Sequence, residues 1–329
     1  MGDYQCCILA DQKGNAWEFS KQVYESIKRR DGGEKFDLVE INFKRFRDGE
    51  LFLDISKNIR RSNCYFIHDS SKNPSDWFNE LVFVNHTLRN SSCQEIIDVL
   101  PYLRYSRQDR KDKSRTPISA KVIADIIGLY ADKVLTLDVH NPSIQSAYNI
   151  PFDYLYSFPT VIEYIEKKHQ NFMKNIVVMS PDTGGSKRAE SFAKRVHVKD
   201  VGIAIGYKTR KKAGEVDGLK IVGDVMDKNV LIIDDIVDSG NTLIKARETL
   251  MKEGAKEVAA YCTHALFTEG AEKVVSGFEF FVVGDSVVNP SFKNLKNIEV
   301  VSFTELFAEA IYRVNEGKSL SDLLEEPVS

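Results

Sequence analysis

A chain of 329 residues is long enough for two ordinary domains, and a hydrophobic content of 43% is that of a packed globular protein. Lys and Arg total 45 against 48 Asp and Glu, a formal charge of −3, so no global basic field draws the protein to nucleic acid or anionic lipid and anion recognition must be local. Five cysteines without C-x-x-C spacing, and the absence of a basic leader with a long apolar stretch or of a window of roughly 18 apolar residues, exclude a disulfide scaffold, secretion and membrane insertion and point to a reducing cytoplasm.

In chain order, short apolar runs predict strands at Cys6 to Ala10, Leu38 to Phe43, Cys64 to His68, Ile96 to Leu100 and Val134 to Asp138. Further runs follow at Ile176 to Ser180, Gly202 to Tyr207, Val230 to Asp235, Val258 to Ala265 and Phe280 to Val283. Amphipathic stretches at Trp17 to Arg30, Ala120 to Tyr130, Gly185 to Val196 and Thr242 to Glu253 predict helices between them. Alternating strand and helix implies parallel sheets covered by helices. At Ser157 to Thr160 an aromatic loop gives way to a fresh helix over Val161 to Lys168, which places a boundary between residues 1–158 and 159–329. Each side holds about half the strands, as two similar α/β layers would, although no residue-level repeat connects them.

Residues 230–242 read VLIIDDIVDSGNT. In an open parallel sheet, ligands bind at the carboxyl ends of strands, where a strand hands over to a helix. Asp234 and Asp235 fall there, and Asp238, Ser239, Gly240, Asn241 and Thr242 offer a turn whose N–H groups and hydroxyls suit a phosphate at a helix N-terminus. Carboxylates repel phosphate but accept from the paired hydroxyls of a ribose, so the expected ligand is a sugar phosphate. The plainer alternative is a helix cap beside solvated acids.

Residues 101–121, PYLRYSRQDRKDKSRTPISAK, hold seven Lys or Arg within their last eighteen positions. Such a cluster suits a triphosphate, or is an exposed charged loop before a helix.

VLIIDDIVDSGNTL resembles the phosphoribosyl-diphosphate loop of type I phosphoribosyltransferases, a motif shared with ribose-phosphate diphosphokinases. The arginine-rich run resembles the ATP signature of the diphosphokinases, and LTLDVHNPSIQSAYNIP, VVMSPDTGGSKRAESFA and FAEAIYRVNEGKSLSDLL continue the likeness in order along the chain. It implies two phosphoribosyltransferase-like domains, an ATP-side one and a ribose-5-phosphate-binding one. The reaction implied is transfer of a diphosphoryl group from ATP to ribose 5-phosphate with Mg2+ as cofactor.

By the same resemblance, Arg107, Gln108, Asp112 and His140 contact ATP, and His140 with Asp182 forms the metal site. Imidazole is not the usual ligand of Mg2+, so His140 acts partly through ATP phosphate or bound water. Lys208 and Arg210 match the catalytic pair, in a basic stretch KTRKKAGEVDG expected to form a mobile lid, with Arg210 also touching the sugar phosphate. In RFRDGELFLDI, Phe46 would stack on adenine while Asp48 and Glu50 bond to it, reaching across from a neighbouring subunit of a homo-oligomer built of dimers, up to a hexamer. Its D-G pair between apolar runs equally signals a β-hairpin.

Two departures stand out. DSGNT shifts the glycine of the commoner D-T-x-G-T, a change that Asn241 can absorb by adopting positive φ. NPS after His140 replaces A-S-Q in a region tied to allosteric nucleotide and phosphate binding, so regulation by ADP or phosphate does not carry over. Two other readings are a nucleobase phosphoribosyltransferase, which leaves residues 101–121 unexplained, and a non-catalytic regulatory homologue, against which Lys208, Arg210, His140 and Asp182 all count. The leading reading requires the arginine-rich segment, the His140–Asp182 pair and the triple-acid bend to converge on one crevice.

Overall fold

The structure is a computed structural model that describes residues 5–111, 113–209 and 218–324. Contacts divide the chain into two units, the division falling between Tyr156 and Ser157.

The first unit opens on β1 (Cys6–Asp11), α1 (Trp17–Lys28), β2 (Phe36–Arg45) and β3 (Leu51–Ile55). It continues with β4 (Asn63–Ile67), α2 (Pro74–Asn90), β5 (Glu95–Leu100), α3 (Ser119–Ile127), β6 (Lys133–Leu137) and β7 (Phe152–Leu155). The sheet order is β3-β2-β1-β4-β5-β6-β7, parallel throughout except for the antiparallel edge pair β2–β3. Nearly unbroken apolar runs such as CCILA in β1 are buried because helices cover both faces of a parallel sheet. Helix α2 starts on Asn73, whose side chain accepts from the Ser75 amide, followed by Pro74 at the first helical position. Its stripe of Trp77, Leu81, Val84 and Leu88 enters the core.

The second unit contains α4 (Phe158–Lys168), β8 (Ile176–Ser180), α5 (Ser186–Arg195), β9 (Gly202–Thr209) and β10 (Gly218–Val222). It goes on through β11 (Asn229–Val237), α6 (Asn241–Lys252), β12 (Glu257–Ala265), α7 (Ala271–Val275), β13 (Phe281–Gly284) and β14 (Ile298–Val301). Its order, β10-β9-β8-β11-β12-β13-β14, repeats that of the first unit strand for strand, with β9–β10 as the antiparallel edge pair.

The helix that follows the last strand does not stay with the second unit. The chain from Ser302 on, with α8 (Thr304–Asn315), belongs to the first unit, where the expected division kept it in the second. There α8 packs on α1 through an edge-to-face pair of Phe19 and Phe307 at 5.7 Å, with the Ser26 hydroxyl donating to Glu305 at 2.6 Å. In the second unit α4 packs on α5 in the same manner, Phe158 meeting Phe192 edge-on at 5.0 Å. Each unit therefore pairs the helix after its first strand with one further helix, and the first unit takes that helix from the far end of the chain.

Candidate functional site

Strand β11 is the central strand of the second sheet, and it runs to Val237, beyond the expected end at Asp235. Asp234 and Asp235 are therefore strand residues with side chains on opposite faces. Asp235 is almost wholly buried, and the Arg188 guanidinium donates to its carboxylate. Asp234 is partly open, with 26% of its side chain exposed; it accepts from the Asp235 amide at 2.9 Å and lies 3.7 Å from Arg188. Burial, reinforced by the Asp235 carboxylate, raises the Asp234 carboxyl well above the ordinary range although Arg188 opposes the shift.

The bend after β11 is fixed at Gly240, which has a φ of +74°, and a Cβ there would stand 2.3 Å from Val274. Positive φ and close approach of α7 both require glycine at this position. Asn241 is instead the first residue of α6, so the DSGNT order needs no left-handed asparagine. The residue before α6 is Gly240, which has no side chain with which to cap the helix. The first-turn N–H groups of α6 and the positive end of the helix dipole favour negative charge beside Ser239, Asn241 and Thr242. Asp238 is held by the Thr268 hydroxyl, and the Asn241 amide donates to the Ser239 hydroxyl at 3.1 Å.

At the carboxyl end of β8, next to β11, the Asp182 carboxylate accepts from the Gly184 and Gly185 amides at 3.0 and 3.3 Å. The Ser180 hydroxyl donates to the Asp182 carbonyl at 2.7 Å. A Cβ on Gly185 would lie 2.4 Å from the Ser180 Oγ, so the second glycine is a matter of space. The turn that Asp182 shapes leads into α5 and aims Arg188 at β11.

Arg188 is the residue that sequence reasoning missed. Its signal was the pair Lys187 and Arg188 in the first turn of α5, where the helix dipole disfavours cations unless an acid faces them.

Lys208 lies within β9, paired across to Leu219 of β10, and not in the loop expected after Tyr207. The antiparallel edge pair carries the strand two residues further than its apolar run suggested. Arg210 and the rest of the expected lid up to residue 217, like Asp112, lie outside the described residues.

In the first unit, the arginine-rich segment and the His140 segment are fastened together. The Asn141 amide donates to Asp109 at 2.6 Å, and its oxygen accepts from the Ser143 amide at 3.0 Å. Gln108 accepts from the Ser119 hydroxyl at 2.5 Å and, through its carbonyl, from the Ala120 amide at 3.2 Å, which ties the segment to the start of α3. Arg107 and His140 are exposed at the surface this creates.

Phe46, Asp48 and Glu50 form the β2–β3 hairpin loop, closed by Phe46 and Glu50 at 2.9 Å and by Gly49 at a φ of +94°. Asp48 accepts from the Glu50 amide at 3.1 Å, and the Phe46 ring stands 56% exposed. The structure thus groups the proposed ATP residues Arg107, Gln108 and His140 in one unit, and Asp182 with Asp234, Asp235 and the α6 turn in the other.

Residues 12–129 match the model of the N-terminal domain of ribose phosphate pyrophosphokinase, and residues 155–286 match the phosphoribosyl transferase domain. The chain is 39% identical over 309 residues to the ribose-phosphate pyrophosphokinase of Campylobacter jejuni, covering 93% of this chain and 95% of that one. It is 40% identical over 292 residues to the enzyme of the same name from Rhizobium meliloti, covering 88% and 93%. Among solved structures, phosphoribosylpyrophosphate synthetase from Mycobacterium smegmatis superposes with a TM-score of 0.82 at 25% identity, over 95% of this chain and 99% of that chain.

Proposed function

Because this chain belongs to the ribose-phosphate pyrophosphokinase family, we propose that it transfers the β,γ-diphosphoryl group of ATP to the anomeric hydroxyl of ribose 5-phosphate, giving phosphoribosyl diphosphate and AMP. The anomeric oxygen attacks the β-phosphorus, the bond from that phosphorus to the α,β-bridging oxygen breaks, and the hydroxyl proton is released. Such a transfer asks the protein mainly for alignment and for positive charge around the migrating group.

The observation that supports this reading is the N-terminus of α6, entered through the left-handed Gly240 at the end of the central strand of the second unit, with the partly exposed Asp234 beside it. The amides of α6 with Ser239 and Thr242 hold the 5-phosphate. Asp234 takes the ribose hydroxyls, and Asp235, locked by Arg188, keeps Asp234 in place and contributes through the backbone more than through its own carboxylate. On the nucleotide side, Arg107, Gln108 and His140 meet the triphosphate, and the hairpin residues Phe46, Asp48 and Glu50 meet adenine, reaching the site of a neighbouring copy in a homo-oligomer. Lys208 and Arg210 act on the β-phosphate.

A metal cofactor belongs to this chemistry, and Mg2+ is the ion assigned. Asp182 supplies the hard oxygen that Mg2+ favours, and His140 acts through nucleotide phosphate or bound water. When bound with ATP, Mg2+ neutralises charge on the phosphates. The setting is cytoplasmic; among the described residues no helix is long and apolar enough to cross a membrane.

The test is to incubate the purified chain with ATP, Mg2+ and ribose 5-phosphate and to follow AMP. AMP that forms only when the sugar phosphate is present supports the assignment. No AMP, or AMP independent of the sugar phosphate, overturns it.

A further inference from the structure

The segment that carries Arg107 and Gln108 is anchored at both ends. Its far end is held by Ser119, Ala120 and Asn141. Its near end is held by Ser70, a buried residue of the turn between β4 and α2. The Tyr102 amide donates to the Ser70 hydroxyl at 3.1 Å, and that hydroxyl donates to the Tyr102 carbonyl at 3.2 Å. The Arg104 guanidinium closes on the same residue, its Nε and Nη2 both donating to the Ser70 carbonyl at 3.1 and 2.6 Å. It also lies over the Tyr102 ring, 5.8 Å from the centroid.

The next residue, Tyr105, has a φ of +64°, in the left-handed region that a bulky L-residue rarely adopts. Such a conformation persists only where the neighbours over-determine it, and it is met most often at ligand sites. Both sides do so here. Arg104 is tied to Ser70, and the Tyr105 ring packs on the fully buried Trp77 at 6.4 Å between centroids, against the core of the first unit. Beyond this corner Ser106 is buried and Arg107 is exposed.

We propose that Arg104 is a positioning residue for the nucleotide. Its guanidinium, committed to the Ser70 carbonyl, holds the corner at Tyr105 and so presents Arg107 and Gln108 already ordered to ATP. This inference rests on the reading that Arg107 and Gln108 meet ATP. A segment held at one end samples many conformations, and ordering it at the moment of binding costs affinity. The planar fork of arginine suits the task, because it can set two N–H groups on one oxygen. Among the basic residues from Arg104 to Arg115, Arg104 alone is partly buried, and the others are exposed. It therefore belongs to the frame of the segment and not to the charged surface the segment presents.

Two substitutions of similar length separate the roles of Arg104. Glutamine carries its Nε2 where arginine has Nε, so Arg104→Gln keeps an N–H donor for the Ser70 carbonyl and loses the charge. Arg104→Met keeps the stem and loses both. The probe is α,β-methylene-ATP with Mg2+, titrated calorimetrically into the full chain, beside steady-state AMP formation. In Arg104→Met the dissociation constant should rise about tenfold and KM for ATP should follow, with kcat and KM for ribose 5-phosphate unchanged. Arg104→Gln should return to within about twofold of the wild-type affinity. Should Arg104→Met not fold, Ser70→Ala, which removes the hydroxyl from the same anchor, takes its place and should show the same split. Wild-type affinity in Arg104→Met, or in Ser70→Ala where it stands in, overturns the proposal. So does an Arg104→Gln as weak as Arg104→Met, which would put the charge itself on the nucleotide, or a change that reaches kcat and both KM values alike. A wild-type chain that binds the analogue but makes no AMP overturns the reaction alone, and the affinity ratio still decides the role of Arg104. One that does not bind the analogue overturns both.

Discussion

The two units build the same seven-strand order, yet they finish their central strands in opposite ways. After β4, the first unit fills the turn with its own side chains. Asp69 accepts from the Asn15 amide at 2.7 Å and from the Ser71 amide and hydroxyl at 2.9 and 2.6 Å. Lys72 is clasped by Asp11 at 2.5 Å and Glu80 at 2.7 Å and lies over the Phe43 ring, and Asn73 caps α2. After β11, the second unit has a left-handed glycine at the entry to α6 and a partly exposed acid. The shared strand order does not by itself set the chemistry at the end of the central strand; the residues of the turn do.

The contrast can be broken most forcefully at Arg188. Arg188→Ala leaves Asp235 buried without its cation, so the unfolding free energy should fall by about 3–5 kcal/mol in a urea titration, and Asp235→Asn in the same chain should recover part of the loss. A smaller effect is expected at the open turn. Gly240→Ala forces a Cβ against Val274 and should lower kcat/KM for ribose 5-phosphate about 100-fold, read as AMP formation, by displacing the phosphate donors.

The buried acids sharpen the same comparison. Asp98 in the first unit is fully enclosed, with burial as the main cause of its rise to about 7, while Asn85 donates to it at 2.7 Å. Among the described residues, Asp98 Oδ1 and Asn85 Oδ1 are both buried without a hydrogen-bond partner, and a proton on Asp98 would neutralise the buried charge. The folded state holds a proton that the unfolded chain releases near its ordinary value. The stabilisation is therefore complete below pH about 4, declines by at most about 1.4 kcal/mol per pH unit up to pH 7, and stays level above that. Asp98→Asn, whose amide can supply the missing donor, should flatten that slope in thermal unfolding measured across this range.

The mildest change is expected at Asn141. Asn141→Ala removes the tie to Asp109 and should raise KM for ATP about fivefold with little effect on kcat, a loss near 1 kcal/mol in steady-state assays.

Ten strands could be read from their apolar runs, and all ten form. The four without such a run, β3, β7, β10 and β14, are the sheet edges, and only β3 was foreshadowed, by the D-G turn. Edge strands bury less on each side, so their sequences lack the continuous apolar stretch of a central strand. Helix α2 was hidden for the opposite reason: LVFV within it reads as a strand until Trp77 and Leu88 reveal the helical stripe.

At the candidate site, the residue types and their order were readable, because a strand, acids and a small-residue turn are contiguous in the chain. Which acid is buried was not. That depends on Arg188, forty-seven residues from Asp235, and on the side of the strand each carboxylate faces. The fastening of Gln108 and Asp109 by Ser119 and Asn141 was equally invisible, since these residues read as ordinary loop polars.

The seat of α8 on α1 sets an order of events during synthesis. A ribosome releases the first sheet long before residues 304–315, so Phe19 on α1 must wait, uncovered, until Phe307 arrives. Nascent chains stalled short of that helix should therefore be the ones that chaperones retain, even though every strand of the first sheet has already been made.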